Sequence, residues 1–261
     1  MKRKFHLFVF PLCGLFFLVI LNSCNKEKVK GDDNYADRIR VLSPFNGIVS
    51  QLDCEIRVFP RDTSYNNSIG KGNPYYAIIN APENIDYVIE TPVESGNLVI
   101  KLRPETYISN YNHILVTVIV PDLAYLEMNS PGSVSFYYND MINHPYIECI
   151  NNGPGTINFH KIRYRYMKLL LAGSGYVFAD SICFTAKMDV QNLGSGSFNL
   201  LGISADTVSV LVRNDGDVSV FVRKYLDGTI SGSGNILYQD PDSTRATVKS
   251  NITGTGKIIR L

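Results

Sequence analysis

From residue 121 onward, apolar and polar residues alternate in short runs, and a glycine splits each run. Aligned on that glycine, the runs read "LEMNSPGSVSFYY", "ECINNGPGTINFH", "LLLAGSGYVFA", "VQNLGSGSFNLL", "VLVRNDGDVSVFV", "GTISGSGNILY" and "SNITGTGKIIRL". The shared positions are Gly132, Gly155, Gly175, Gly196, Gly216, Gly234 and Gly256, at intervals of 23, 20, 21, 20, 18 and 22 residues. Two places after the glycine stand Val134, Ile157, Val177, Phe198, Val218, Ile236 and Ile258, each β-branched or aromatic. Six places before it stand Leu126, Cys149, Leu169, Val190, Val210, Gly228 and Ser250, mostly apolar. A period of two on both sides of a turn predicts strand–turn–strand in every unit.

Two places before the glycine stand Ser130, Gly153, Gly173, Gly194, Asn214, Gly232 and Gly254, all small or tolerant of positive φ. This column reads as a corner whose glycines let the chain turn sharply. The rest of each unit, such as "DSICFTAKM", is again alternating and β-branched, so a helix has no place. Leucine-rich repeats share the period but need a leucine ladder and an Asn position that are missing. The pattern predicts an all-β chain, a β-helix with coils of about 20 residues and like positions stacked about 4.8 Å apart. One coil alone cannot bury enough apolar surface to fold, so each depends on its neighbours. The phosphate-cradle reading of "SGSGNILY" fails, because a strand and not a helix follows. "GTGK" at 254–257 also fails as a P-loop, with Asn251 at its first glycine and Ile258 where Ser or Thr is needed.

Upstream, "GIVSQL", "EIRVFP", "YYAIINA", "YVIETPV", "NLVIKL" and "HILVTVIV" are strand candidates without the regular glycine. They read as a less regular opening of the same sheet system over 38–120, before regular coils over 121–261. The polar stretch 60–74 reads as a loop.

The chain's first residues carry a different pattern. Lys2, Arg3 and Lys4 precede an apolar run from Phe5 to Leu21, the layout of a signal peptide over 1–23. The following "LNSC" resembles the lipobox of bacterial lipoproteins, which implies cleavage before Cys24 and acylation of that cysteine. Several acyl chains hold a protein to a membrane stably. Residues 25–37, polar and aperiodic, read as a tether that joins the anchor at 24 to the fold. Cys54, Cys149 and Cys183 are left, an odd number at irregular spacing, which speaks against a disulfide framework or a metal cluster. Cys149 falls in an inward column and reads as a small buried hydrophobe. The net charge of +1 offers no basic field for nucleic acid.

The signal sequence, the β-rich entry and the repeated glycine corners ending in "ISGSGNILY" and "ITGTGKI" resemble the putative auto-transporter adhesin, head GIN domain family. The likeness spans roughly residues 40–261; "SPGS", "NGPG" and "NDGD" replace "GSG" in three coils. The resemblance implies a single-stranded right-handed β-helix in a lipoprotein of the Bacteroides group, at the outer membrane on its periplasmic side or the cell surface. It implies an adhesin with no catalytic, cofactor or metal residues, whose ligand would be glycan, matrix or another envelope protein.

The residues themselves offer little catalytic chemistry. His113, His144 and His160 stand in no HxH or HExxH pattern, and there is no GxSxG. Asp215 and Asp217 in "NDGD" form the best acidic pair, but turns favour Asp for backbone reasons. An outward ladder of Tyr137, Tyr138, Tyr164, Tyr166 and Tyr176 would offer flat rings to sugar faces; the competing reading is cross-strand stacking that covers the sheet. Two functions follow: a lipid-anchored, non-enzymatic binding scaffold, or a carbohydrate-active β-helix enzyme such as a polysaccharide lyase. The missing carboxylate–base cluster weighs against the second. Lys249, Lys257 and Arg260 beside the last strands read as gatekeepers against end-to-end stacking, while the oligomeric state is left open.

Overall fold

Parallel strands stacked coil on coil make up most of the protein. The computed structural model describes residues 26–60, 73–110, 113–137, 144–241 and 245–261. In its first half lie β1 (Glu27–Lys30), β2 (Tyr35–Val41), β3 (Gly47–Ser50), β4 (Glu55–Phe59), β5 (Tyr76–Pro82), a one-turn helix α1 (Glu83–Asp86), β6 (Ile89–Glu90), β7 (Val93–Glu94), β8 (Asn97–Leu102), β9 (Thr106–Ser109) and β10 (Leu115–Ile119). The regular part holds β11 (Tyr125–Met128), β12 (Ser133–Tyr137), β13 (His144–Asn151), β14 (Thr156–His160), β15 (Arg163–Leu171), β16 (Tyr176–Ala179), β17 (Cys183–Asn192), β18 (Ser197–Val212), β19 (Val218–Ile230), β20 (Ile236–Gln239), β21 (Thr247–Ile252) and β22 (Ile258–Arg260). The result is a β-solenoid of about 21 residues per turn. Each of the six upstream strand candidates contains strand structure, and β1, β2 and β9 are additional.

The sequence columns are the structural columns. Val134 pairs with Ile157, Ile157 with Val177, Val177 with Phe198, Phe198 with Val218, Val218 with Ile236, and Ile236 with Ile258. From Val134 to Ile236 these side chains are at most 2% exposed. The column six places before the glycine stacks likewise, Leu126 on Cys149 on Leu169 on Val190 on Val210. An eighth coil precedes the seven: Ile48 lies under Leu126 and Ile56 under Val134, with Cys54 where the glycine would stand. No glycine marks this coil, so alignment on glycine missed it.

The reason for the corner glycines differs from the one the sequence suggested. Only Gly96 among the described glycines has a positive φ, so the corners do not use the left-handed region. They exclude a side chain instead. A Cβ on Gly196 would stand 2.0 Å from the carbonyl oxygen of Gly175, and one on Gly216 would stand 1.8 Å from that of Gly196. Each corner packs backbone on backbone against the coil below, and only hydrogen fits between. The buried asparagines of this turn went unnoticed too. Asn192 Nδ2 donates to the carbonyl oxygens of Gly196 at 2.8 Å and Gly216 at 2.9 Å, and Asn151 Nδ2 donates to that of Gly155 at 2.7 Å. Both side chains sit in a column otherwise filled by Met128, Leu171, Val212 and Ile230, where they satisfy inward-pointing carbonyls.

The entry half closes the N-terminal end, with its coils out of chain order. β8 and β10 stack beneath β3 and β4, although they follow them in sequence. β5 then runs antiparallel to β10 and β2 antiparallel to β5. The β7–β8 hairpin turns through Ser95 and Gly96, both at positive φ, as a two-residue primed turn requires. Beneath this cover Ile79, Ile85, Val88, Leu98 and Ile100 are fully buried. The stretch expected as a tether is part of the fold from Glu27 on: β1 pairs in parallel with β9, and Val29 is only 5% exposed. One alternating apolar position, Val29 between lysines, was enough to dock it. Cys24, the apolar run before it and most of the 60–74 loop lie outside the described residues.

Candidate functional site

Alternation along β4, β12 and β14 sends Ile56, Val58, Val134, Phe136, Ile157 and Phe159 into the core, each with no exposure. The residues between them face outward and stack in register as a grid. Its first row is Glu55, Ser133 and Thr156, its second Arg57, Ser135 and Asn158, and its third Phe59, Tyr137 and His160. The first row borders a groove of about 470 Å³ at the corner, lined also by Asp53 and His113. Glu55 joins the rows: its Oε1 is 2.5 Å from Arg57 Nε and its Oε2 is 3.2 Å from His113 Nε2.

The third row is a stack of rings. Phe59 and Tyr137 lie 5.1 Å apart and Tyr137 and His160 4.5 Å apart, with 12° between planes in both pairs. His160 Nδ1 is 2.6 Å from Asp180 Oδ1, and Asn158 Nδ2 is 2.8 Å from His160 Nε2 and 3.1 Å from Asp180 Oδ2. With the amide donating to Nε2, Nδ1–H donates to the carboxylate, and the two bonds fix the orientation of the ring. Because Nε2 already accepts that bond, His160 has no lone pair left to activate a nucleophile. Asn158 Oδ1 is buried without a hydrogen-bond partner among the described residues. Among those residues, no group of three His, Cys, Asp or Glu side chains could hold a metal ion. Carboxylate, guanidinium, hydroxyl and amide groups thus share one face with an aromatic edge, which suits hydrogen bonding to a polar ligand.

The tyrosines expected to form one outward ladder are divided between the core and both faces. Tyr164 points inward, 1% exposed, and its hydroxyl donates to Leu123 O at 3.0 Å. The burial alternation of β15 changes phase between Arg165 and Tyr166, where the coil bends, so two tyrosines of equal parity face opposite ways. Tyr166 lies on the other outward face, 5.3 Å from Tyr146, with Lys187 Nζ 5.1 Å from its ring centre. Tyr176 stacks on Phe178 at 5.4 Å, and Tyr138 lies outside the described residues. Tyr137 is stacked on both sides and Tyr166 packs on Tyr146 and Lys187, while Tyr176, though 38% exposed, stacks on Phe178, which favours the sheet-covering reading over open sugar platforms.

Hydroxyl bonds point the same way. Tyr125 donates to Glu127 at 2.8 Å, Tyr146 to Glu148 at 3.0 Å, and Tyr166 to Asp189. The bond to Asp189, with burial, pushes the Tyr166 phenol up to about 12. Burial, then the bond to Glu148, does the same for Tyr146. The acidic corner is also structural: Asp217 Oδ1 accepts from the backbone N–H of Asn235 at 2.7 Å and from its side-chain amide at 3.1 Å. Cys54, Cys149 and Cys183 are free and buried, and burial pushes the Cys54 thiol up to about 12 and that of Cys183 to about 11. Sequence reasoning missed the Glu55–His113 pair and the Asn158–His160–Asp180 cluster. The parity of "TINFH" already places Asn158 and His160 outward. Nothing local brings His113 to Glu55, since they meet through the reordered coils.

Residues 56–240 match the family model described as putative auto-transporter adhesin, head GIN domain. No curated protein matches the chain. Among solved structures it is similar to a putative adhesin from Bacteroides fragilis, at 17% identity and a TM-score of 0.78, covering 89% of this chain and 100% of that one. It is also similar to a putative lipid binding protein from Parabacteroides distasonis, at 18% identity and a TM-score of 0.68, covering 90% and 100%. A putative adhesin from the same species follows at 16% identity and a TM-score of 0.65, covering 90% and 100%. At such identities the likeness carries the fold.

Proposed function

Since the chain belongs to the putative auto-transporter adhesin, head GIN domain family, we propose that it is a non-enzymatic binding scaffold of the cell envelope, held to the outer membrane by lipid on Cys24. The ligand is a hydroxyl-rich glycan that lies across the outward grid of β4, β12 and β14. One observation carries this reading. Glu55 and His113 line the groove beside Ser133 and Thr156, and Glu55 pairs with Arg57 in the next row, the row of the buried, unpaired Asn158 Oδ1. Carboxylates and amides of this kind accept sugar hydroxyls, and a histidine whose two ring nitrogens are both engaged, by Asp180 and Asn158, suits binding over bond cleavage. Glycan-array binding of the full chain tests it, with Ser135→Arg as a variant that fills the middle of the grid from outside the core. Retention of every wild-type glycan signal by Ser135→Arg overturns the site, and an array without signal overturns the ligand class. The anchor has a separate test: Cys24→Ser abolishes lipid labelling and membrane sedimentation, and labelling that survives refutes it.

A further inference from the structure

The two ends of the solenoid are unlike. At the N-terminal end the antiparallel β2–β5 pair and α1 lie over the core, and their charges are paired. Arg40 is 2.7 Å from Asp86 and donates to Ile89 O, and Arg38 is 3.3 Å from Glu83. At the other end, among the described residues, β21 pairs only with β19, and β22 only with β20. Val248 and Ile252 continue the inward columns of Leu226 and Ile230, yet they are 36% and 44% exposed, where the residues below them are buried. Ile259 and Leu261 add further exposed apolar surface at 40% and 56%. Among the described residues nothing lies over this end, and the free side of β21 presents unpaired backbone donors and acceptors.

Two of the three cations expected to keep this end apart, Lys249 and Arg260, are engaged elsewhere. Lys249 Nζ is 3.1 Å from Asp227 and Arg260 Nη2 is 2.6 Å from Asp240, both carboxylates one coil below. Their charge is neutralised along the outer faces instead of standing across the free edge.

We infer that a second copy of this chain covers the end, the two last coils meeting tail to tail about a twofold axis with β21 antiparallel to β21 of the partner. The edge is complementary to itself in one register. Centred on Ser250, it sets Val248 against Ile252 of the other copy, Lys249 against Asn251, and Ser250 against Ser250. Apolar inward residues then meet apolar inward residues, and no like charges stand opposite each other. The two nearest registers that keep inward against inward move Val248 or Ile252 opposite Ser250. The N-terminal end is the poorer partner surface: β2 also exposes Ile39 and Val41, at 50% and 59%, but sets them among Asp37, Arg38 and Arg40, and a head-to-tail contact does not close at two copies. A tail-to-tail contact is isologous and closes at two copies.

The test is the mass of the full chain by light scattering in detergent over a concentration series, with residue-specific variants. Two copies per particle are expected. Ser250→Cys, whose residue lies on the axis, should oxidise to a disulfide-linked pair, while wild type, whose described cysteines are buried, should not. Asn251→Lys, on the exposed outer side, sets like charges across the axis. It should weaken pairing about tenfold at low salt and recover as salt screens the charge. A single copy at every concentration overturns the inference, and so does a mass that grows without limit. Pairs that form equally well in Asn251→Lys, or that leave Ser250→Cys reduced, place the contact on another surface and overturn it as well.

Discussion

Val218 gives the most direct test of the register. It has no exposure and is stacked between Phe198 and Ile236, themselves at most 2% exposed. Val218→Asp removes the packed side chain, which costs about 1–3 kcal/mol at a well-packed site. The carboxyl has no partner in an apolar column, so it is buried neutral. Holding a carboxyl of ordinary value 3.9 neutral at pH 7 costs about 4 kcal/mol, at 1.36 kcal/mol per pH unit. Together this is roughly 5–7 kcal/mol, comparable to the whole stability of many domains. The sign follows from linkage. The folded-state value of the introduced carboxyl is raised, so its penalty grows as pH rises above about 3.9 and shrinks as pH falls toward that value. Ser219, the next residue, faces outward between Asn199 and Leu237, and Ser219→Asp should stay within about 0.5 kcal/mol of wild type. Urea denaturation followed by circular dichroism at pH 7 and pH 4.5 measures both. Equal midpoints for the two variants refute the register. A Val218→Asp deficit that does not narrow at the lower pH refutes the burial argument.

Three further outcomes follow from the corners and the tyrosines. Gly196→Ala should lower the urea midpoint: a Cβ 2.0 Å from Gly175 O forces the corner apart at about 1–3 kcal/mol, more than the roughly 0.4–1 kcal/mol gained from a stiffer unfolded chain. A stabilised variant would mean that the corners are not in backbone contact. Asn192→Leu should also destabilise, by roughly 2 kcal/mol despite its greater hydrophobicity, since it leaves the carbonyls of Gly196 and Gly216 unpaired in the core; thermal melts that show a gain count against this. Asp189→Asn should bring the Tyr166 phenol down from about 12 toward its ordinary value, read by ultraviolet titration. With a raised folded value, the Tyr166 contribution to stability is present below pH 10 and lost as pH rises through about 12.

Much of the regular half was legible before the structure. The seven glycine-aligned units fall into one ladder in the proposed register, and the inward column from Val134 to Ile236 is buried throughout. Cys149 is the buried hydrophobe its position suggested, and Asp217 serves a turn. The site was less legible. Of the four described tyrosines among those singled out, only Tyr137 belongs to the outward grid, and the grid's charged residues come from a coil without the glycine signature.

What the sequence by itself determined is the alternation within each strand and the repeat that lays one strand over the next. Both follow from local geometry: successive residues of a strand face opposite sides, and stacking like coils puts like columns together. What only the tertiary structure decided is everything that depends on which edge meets which. The coil of β8 and β10 slides beneath β3 and β4, and that exchange brings His113 to Glu55. A bend in β15 turns Tyr164 inward and Tyr166 outward at the same parity. The corner glycines look in sequence like residues chosen for unusual dihedral angles. In space they are residues with no room for a Cβ, because a neighbouring coil's carbonyl already fills it. Alternation is a property of one strand and can be read from it; contacts between coils belong to two stretches of chain at once, and no single stretch records them.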